Sequence, residues 1–266
     1  MDEADKLLKA QVDRGKTPSV QYVIFNGQEI IHKFQYGYAD IARRKKVTNN
    51  TTYNAFSVTK TFTALATLQL QEHGRLRIDD RVKQHLPNFP YSAEITIRQL
   101  LTHSSGIPNP IPLSWIHLFR EHEMFDRKSF FEEVLQRNDR IKFSPNKQFS
   151  YSNLGYIILG RLIEQVAGMS YEKYIEERVF QPIGIAERDL SFTIDPARLA
   201  KGYQKKISFT NLMLGFMIDK KKYLGKAEGK WKPFRFFYVN GAPYGGLIGT
   251  PNAFMKYIQA LMNTEH

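Results

Sequence analysis

Cysteine is missing altogether from the 266 residues. Disulfides, thiolate metal sites and thiol nucleophiles are thereby excluded, so any nucleophile has to be an oxygen or an amine. Long apolar runs are missing too. No stretch approaches the roughly 18 to 20 residues that a membrane-spanning helix needs, and residues 1–14 mix acids with bases instead of forming an apolar signal core. None of the seven histidines sits in the H-E-x-x-H zinc motif, and His117 and His122 stand five apart, a spacing that puts them on different faces of a helix. Neither a metal nor a cofactor is expected. Acidic residues are the scarcer charge, 26 against 38 Lys and Arg, which leaves a net charge of +12. The excess is local: residues 201–235 hold ten Lys or Arg against Asp219 and Glu228, and Arg43-Arg44-Lys45-Lys46 forms a second cluster. Solvated loops are the expected setting for that charge, and peripheral contact with an anionic membrane or cell-wall surface is its sharper reading. No nucleic-acid partner is expected.

What is present suffices for one large domain, since 42% of the residues are hydrophobic. Residues 2–14 carry Ala4, Leu7, Leu8 and Val12 at helical spacing, with Gly15 as a stop. Asn26-Gly27, between β-rich runs at 21–25 and 29–34, predicts an antiparallel hairpin. The stretch 61–70 is apolar enough to predict a core helix ended by His73-Gly74. Further helices are predicted at 95–102, 130–137, 154–166 (closed by Gly168), 171–179 and 251–262. Segment 207–218 is apolar, bracketed by Lys205-Lys206 and Lys220-Lys221-Lys222, and too short to cross a bilayer. Packing against the body of the fold is its expected role; a pocket lid or a membrane-interface segment are the alternatives.

A serine hydroxyl becomes a useful nucleophile when a neighbouring base takes its proton, and S-x-x-K supplies one because residues three apart share a helix face. Three copies occur, and context separates them. Ser144 and Lys147 flank a Pro-Asn turn, and Ser170 stands where a helix N-cap is needed. Ser57 and Lys60 open the most apolar helix, where burial and the positive end of the helix dipole both disfavour an ammonium. Ser57 is therefore the candidate nucleophile and Lys60 its base. Tyr151-Ser152-Asn153 follows a turn and precedes a strong helix, whereas the second Tyr-x-Asn, Tyr238 to Asn240, lies in an aromatic β-like run. Tyr151 is expected to relay a proton to the leaving group, and Asn153 to hold a substrate carbonyl or orient Lys60.

Gly37-Tyr38-Ala39-Asp40, the Ser57 helix through Gly74, segment 97–107, segment 151–160 and Gly245-Gly246-Leu247-Ile248-Gly249-Thr250 stand in the order and context of one family. The chain resembles the serine β-lactamase and penicillin-binding-protein superfamily over roughly residues 17–262. The resemblance implies an α/β (α+β) fold of the β-lactamase/transpeptidase type, an antiparallel sheet flanked by helices, with an all-helical sub-domain at about 75–200 inserted into a single domain spanning 1–266. It also implies an acyl-enzyme mechanism on an ester or amide, whether a β-lactam, a D-amino-acid peptide or an ester, and a periplasmic, extracellular or cell-envelope setting. His103 is structural by the same analogy. One element of the pattern, a Lys or His followed by a small residue and Gly, does not occur after Thr250. The expectation is a C-terminally truncated chain that lacks the last strands and one oxyanion donor, is weakly active or inactive alone, and self-associates through an unpaired sheet edge. A non-catalytic relative that binds peptidoglycan or peptides in the same cleft is the alternative function.

Overall fold

The structure, a computed structural model, describes residues 3–110 and 114–263. Its first turn is set by Asn26, whose Oδ1 accepts the backbone N–H groups of Gln28 and Glu29, both at 2.8 Å. This side-chain turn folds β1 (Ser19–Phe25) back on β2 (Ile30–Asp40) as an antiparallel pair with Val23 opposite Lys33. β2 runs well past the predicted end at Phe34. Its second half pairs with β3 (Lys45–Lys46), and Gly37 sits inside the strand. Helix α1 (Glu3–Asp13) lies on the hairpin; Asp2 is outside the described residues. Buried Asp5 accepts the Tyr22 O–H and sits 2.8 Å from His32 Nε2, so the helix is tied by its one interior carboxylate.

Two compact units emerge. The first comprises Met1–Asn54, Ile183–Phe237 and Ile248–His266. Besides the hairpin sheet it holds a second three-stranded sheet, in which Ile248–Gly249 pairs antiparallel with β4 (Tyr53–Asn54) on one side and Leu190–Ser191 on the other. Tyr203–Lys205 pairs with Trp231–Pro233. Helix Pro251–Met262 starts as predicted, with Thr250 as N-cap and Pro251 at the first position. Gln259 and Asn263 donate from that helix to the Asn26 and Gly27 carbonyls, both at 2.9 Å. Segment 207–218 departs from expectation. It forms a short helix, Phe209–Leu214, followed by tight turns, and its largest apolar side chains face solvent instead of packing inward.

The second unit, Ala55–Pro182 with Tyr238–Leu247, is mainly helical. Its axis is α2 (Thr59–Glu72), whose Phe62, Thr63, Ala66 and Thr67 are fully buried. Phe62 meets Phe180 edge to face at 5.8 Å. The long helix Asn153–Ala167 packs against α2, capped by Ser152 Oγ on Gly155 N–H and closed by left-handed Gly168. Thr96 caps Ile97–Leu101, Asp126 caps Arg127–Arg137 and Ser170 caps Tyr171–Ile175, so the predicted helices form with locally encoded starts. His117 and His122 do come together, because they stand on a strand (Ile116–Leu118) and the 3₁₀ turn after it and not on one helix. Their rings lie nearly parallel, with Nε2 of the first 2.9 Å from Nδ1 of the second. The architecture is mixed α/β, with small antiparallel sheets and flanking helices.

Candidate active site

Ser57 occupies a single 3₁₀ turn, Phe56–Val58, that feeds directly into α2. Phe56 is held at φ +45°, a left-handed conformation that costs an aromatic residue on the order of 1–3 kcal/mol and is sustained only where surroundings over-determine it. The hydrogen bonds Ala55 N–H to Leu247 O (2.8 Å) and Leu247 N–H to Thr59 Oγ1 (3.2 Å) supply that constraint. The consequence is an exposed serine at the mouth of a buried helix.

One turn further on, Lys60 is only 6% exposed. Its Nζ lies 3.2 Å from Ser57 Oγ and donates to the Tyr244 carbonyl at 2.8 Å. Burial pushes the lysine down from 10.5 to about 7, because a desolvated ammonium is disfavoured and no carboxylate compensates. A neutral amine fits this geometry: one N–H goes to Tyr244 O and the lone pair faces the Ser57 hydroxyl. Rings of Tyr151, Tyr244 and Tyr156 stand 4.9, 5.3 and 5.6 Å from Nζ and favour the ammonium once it forms.

Tyr151 donates its O–H to Ser57 Oγ at 2.8 Å and is 37% exposed, so it reaches both the nucleophile and bulk solvent. His103 fixes the phenol. Its ring lies 4.5 Å from the Tyr151 ring, and its Nδ1 accepts the Ser152 N–H at 3.1 Å. Burial, then the nearby Lys60 charge, holds the imidazole down at about 4, so it stays a neutral acceptor at ordinary pH. The loop behind it needs Gly106, whose φ is +78° and where any Cβ would meet Phe143 O at 2.1 Å. Asn153 is buried at the start of its helix, and its amide donates to Asn109 Oδ1 at 3.1 Å. It makes no hydrogen bond to Lys60 among the described residues.

The other motif copies serve structure. Lys147 N–H closes a turn on Ser144 O, Ser170 Oγ caps Lys173 N–H, Asn240 Oδ1 accepts from His117 Nδ1 at 2.7 Å, and Tyr238 stacks on His122 at 3.9 Å. Sequence reasoning missed the Tyr244 carbonyl, the strained Phe56 and Asn109. It also missed Thr63, which donates to Pro243 O at 2.6 Å and thereby clamps the segment carrying Tyr244 to α2. The Gly-rich run beginning at Gly245 was the available pointer to that segment.

An exposed serine oxygen between an interior lysine and a tyrosine, on this mixed α/β frame, defines a β-lactamase/transpeptidase-like protein. The beta-lactamase family profile matches residues 4–266, and the chain belongs to that family. Penicillin-binding protein 4* of Bacillus subtilis (strain 168) is 30% identical over 208 residues, covering 76% of this chain and 46% of that protein. The chain thus spans about half the length of that relative. The octameric penicillin-binding protein homologue from Pyrococcus abyssi superposes with a TM-score of 0.76 at 26% identity, covering 100% of this chain and 57% of the other. D-amino acid amidase from Ochrobactrum anthropi SV3, complexed with D-phenylalanine, shares the fold with a TM-score of 0.79 at 23% identity over 97% of this chain and 70% of its own.

Proposed function

We propose that the chain carries the nucleophilic centre of a serine acyl hydrolase. Ser57 O–H passes its proton to Lys60 Nζ as Oγ attacks the carbonyl carbon of an ester or amide. The Lys60 proton then travels through Tyr151 to the leaving group as the carbon–leaving-group bond breaks, leaving an acyl ester on Ser57. Water, deprotonated by the same pair, releases the acid. Asn153 positions the substrate through its carboxamide. The observation that carries this reading is the placement of Ser57 Oγ, 3.2 Å from an interior amine and 2.8 Å from a phenol, on an exposed turn.

Substrates are assigned to acyl groups of the β-lactam, D-amino-acid peptide or ester class. The amidase and the penicillin-binding homologues named above support that range. The test is intact-mass analysis after a fluorophosphonate and after a fluorescent penicillin, followed by peptide mapping. A single adduct on Ser57, absent in Ser57→Ala and slowed on the order of 10²-fold or more in Tyr151→Phe, is expected. An unlabelled Ser57 with both reagents would overturn the proposal in favour of a non-catalytic peptide- or peptidoglycan-binding relative.

A further inference from the structure

Segment 207–218 folds into a short helix and turns, yet it buries little of what it carries. Ile207 is 89% exposed, Phe209 77%, Leu212 61% and Phe216 81%. Phe209, Leu212, Met213 and Phe216 follow i, i+3, i+4, i+7 spacing through the helix Phe209–Leu214 and the turns after it, so they form one outward face. A contiguous apolar face of this kind is unusual on a protein surface and marks a contact.

Much of the backbone underneath is already paired. Ser208 Oγ caps Asn211 N–H at 3.0 Å, Leu212 N–H bonds Ser208 O, Phe216 N–H bonds Met213 O and Ile218 N–H bonds Leu214 O. Asp219 caps the next turn on Lys221 and Lys222 N–H. On the polar side, Asn211 is tied both to Gln204 and to the Lys206 carbonyl, which anchors the segment to the strand pair Tyr203–Lys205 and Trp231–Pro233. Such a segment can approach an apolar phase with much of its backbone already paired. It is too short to cross a bilayer, and no helix among the described residues is long and apolar enough to do so.

Its borders carry charge of one sign. Lys205 and Lys206 precede it and Lys220, Lys221 and Lys222 follow; no carboxylate pairs with Lys205, Lys206 or Lys221 among the described residues. An apolar face edged by ammonium groups complements one partner in both respects, namely a bilayer whose head groups are anionic and whose acyl layer begins beneath them. We propose that residues 205–222 are a docking surface for an anionic membrane, lying in the plane of the interface with Phe209 and Phe216 among the acyl chains. The proposal stands apart from the chemistry at Ser57.

Sedimentation of the whole chain with vesicles tests it, using pure phosphatidylcholine in one arm and phosphatidylcholine with phosphatidylglycerol in the other. Binding to the anionic vesicles alone is expected. Lys205→Gln/Lys206→Gln/Lys221→Gln should weaken it on the order of a hundredfold, about fivefold per lysine. Phe209→Ser/Leu212→Ser/Phe216→Ser should abolish it, with an unchanged thermal midpoint by circular dichroism because these side chains lie outside the core. Phe216→Trp gives an independent reading that survives any folding defect of the triple variant: its emission should shift to the blue on adding anionic vesicles and stay put with neutral ones. Equal pelleting with both vesicles overturns the proposal. So does undiminished binding by the apolar triple variant, the signature of a purely electrostatic wall-polymer site. A vesicle-independent dimer that the triple variant dissolves, seen by sedimentation velocity, overturns it in favour of a second copy of the chain.

Discussion

At the scale of single residues, Lys60 is where opposing effects meet. Burial at 6% exposure lowers its affinity for a proton, while three aromatic faces and the Tyr244 carbonyl favour the charged form. Desolvation wins, and the group settles near 7. Only the unprotonated amine can accept the Ser57 proton, so Ser57 acylation should rise with pH and level off above about 7, falling about tenfold for each unit below. Stopped-flow or timed-quench labelling with a fluorophosphonate across pH 5 to about 9 reads this directly. A flat profile through that range would assign the proton to some other group. Lys60→Gln keeps a polar N–H donor on a slightly shorter side chain but has no basic lone pair, and should remove the pH dependence together with most of the rate.

At the scale of elements, the approach of helix Asn153–Ala167 to the segment bearing Tyr244 is set by a missing side chain. A Cβ on Gly160 would stand 2.0 Å from Pro243 Cγ, far inside contact distance, and a proline ring cannot swing away. Gly160→Ala gains about 1 kcal/mol of helix propensity, yet overpacking of a rigid neighbour costs roughly 1–3 kcal/mol. The clash should prevail: a lower urea midpoint, and slower Ser57 labelling because Pro243 and Tyr244 move with the ring. Unchanged labelling would mean that the Tyr244 carbonyl does not position Lys60. The same elements show what a sequence can disclose. Thr96, Asp126, Ser152 and Ser170 cap their helices through bonds to residues three positions on, and Asn26 makes its turn through bonds two and three positions on, so these features are written locally. Tyr53–Asn54 is a strand only by virtue of Ile248–Gly249, far away in the sequence, and two residues carry no periodicity to read. Ser57, Lys60 and Tyr151 were legible through spacing and helix context. The Tyr244 carbonyl was not, because any residue presents a carbonyl and only tertiary packing aims it.

At the scale of the whole molecule, the net charge of +12 sets a general term that no single contact cancels. Many ion pairs are solvent-facing, as in Lys6–Glu3 and Arg81–Glu94, and such pairs contribute at most about 1 kcal/mol each. Salt screens both these attractions and the repulsion among the surplus cations, so the sign of the net effect shows which is larger. With 38 basic against 26 acidic residues, and the excess concentrated over 201–235, repulsion should dominate. Raising sodium chloride from about 10 mM to about 200 mM, which shortens the screening length from roughly 30 Å to below 10 Å, should raise the thermal midpoint by about 2–4 °C per kcal/mol relieved. Chloride is the appropriate anion, since sulfate stabilises folded chains by exclusion from their surface whatever their charge. Lys206→Glu/Lys226→Glu reverses two exposed charges within the basic stretch and should flatten the slope while leaving Ser57 labelling intact. A midpoint that falls with salt in the parent chain would instead place the balance with the ion pairs, Lys201 between Asp40 and Glu228 foremost, because that cation is mostly shielded and its two carboxylates lie 2.9 and 3.5 Å away.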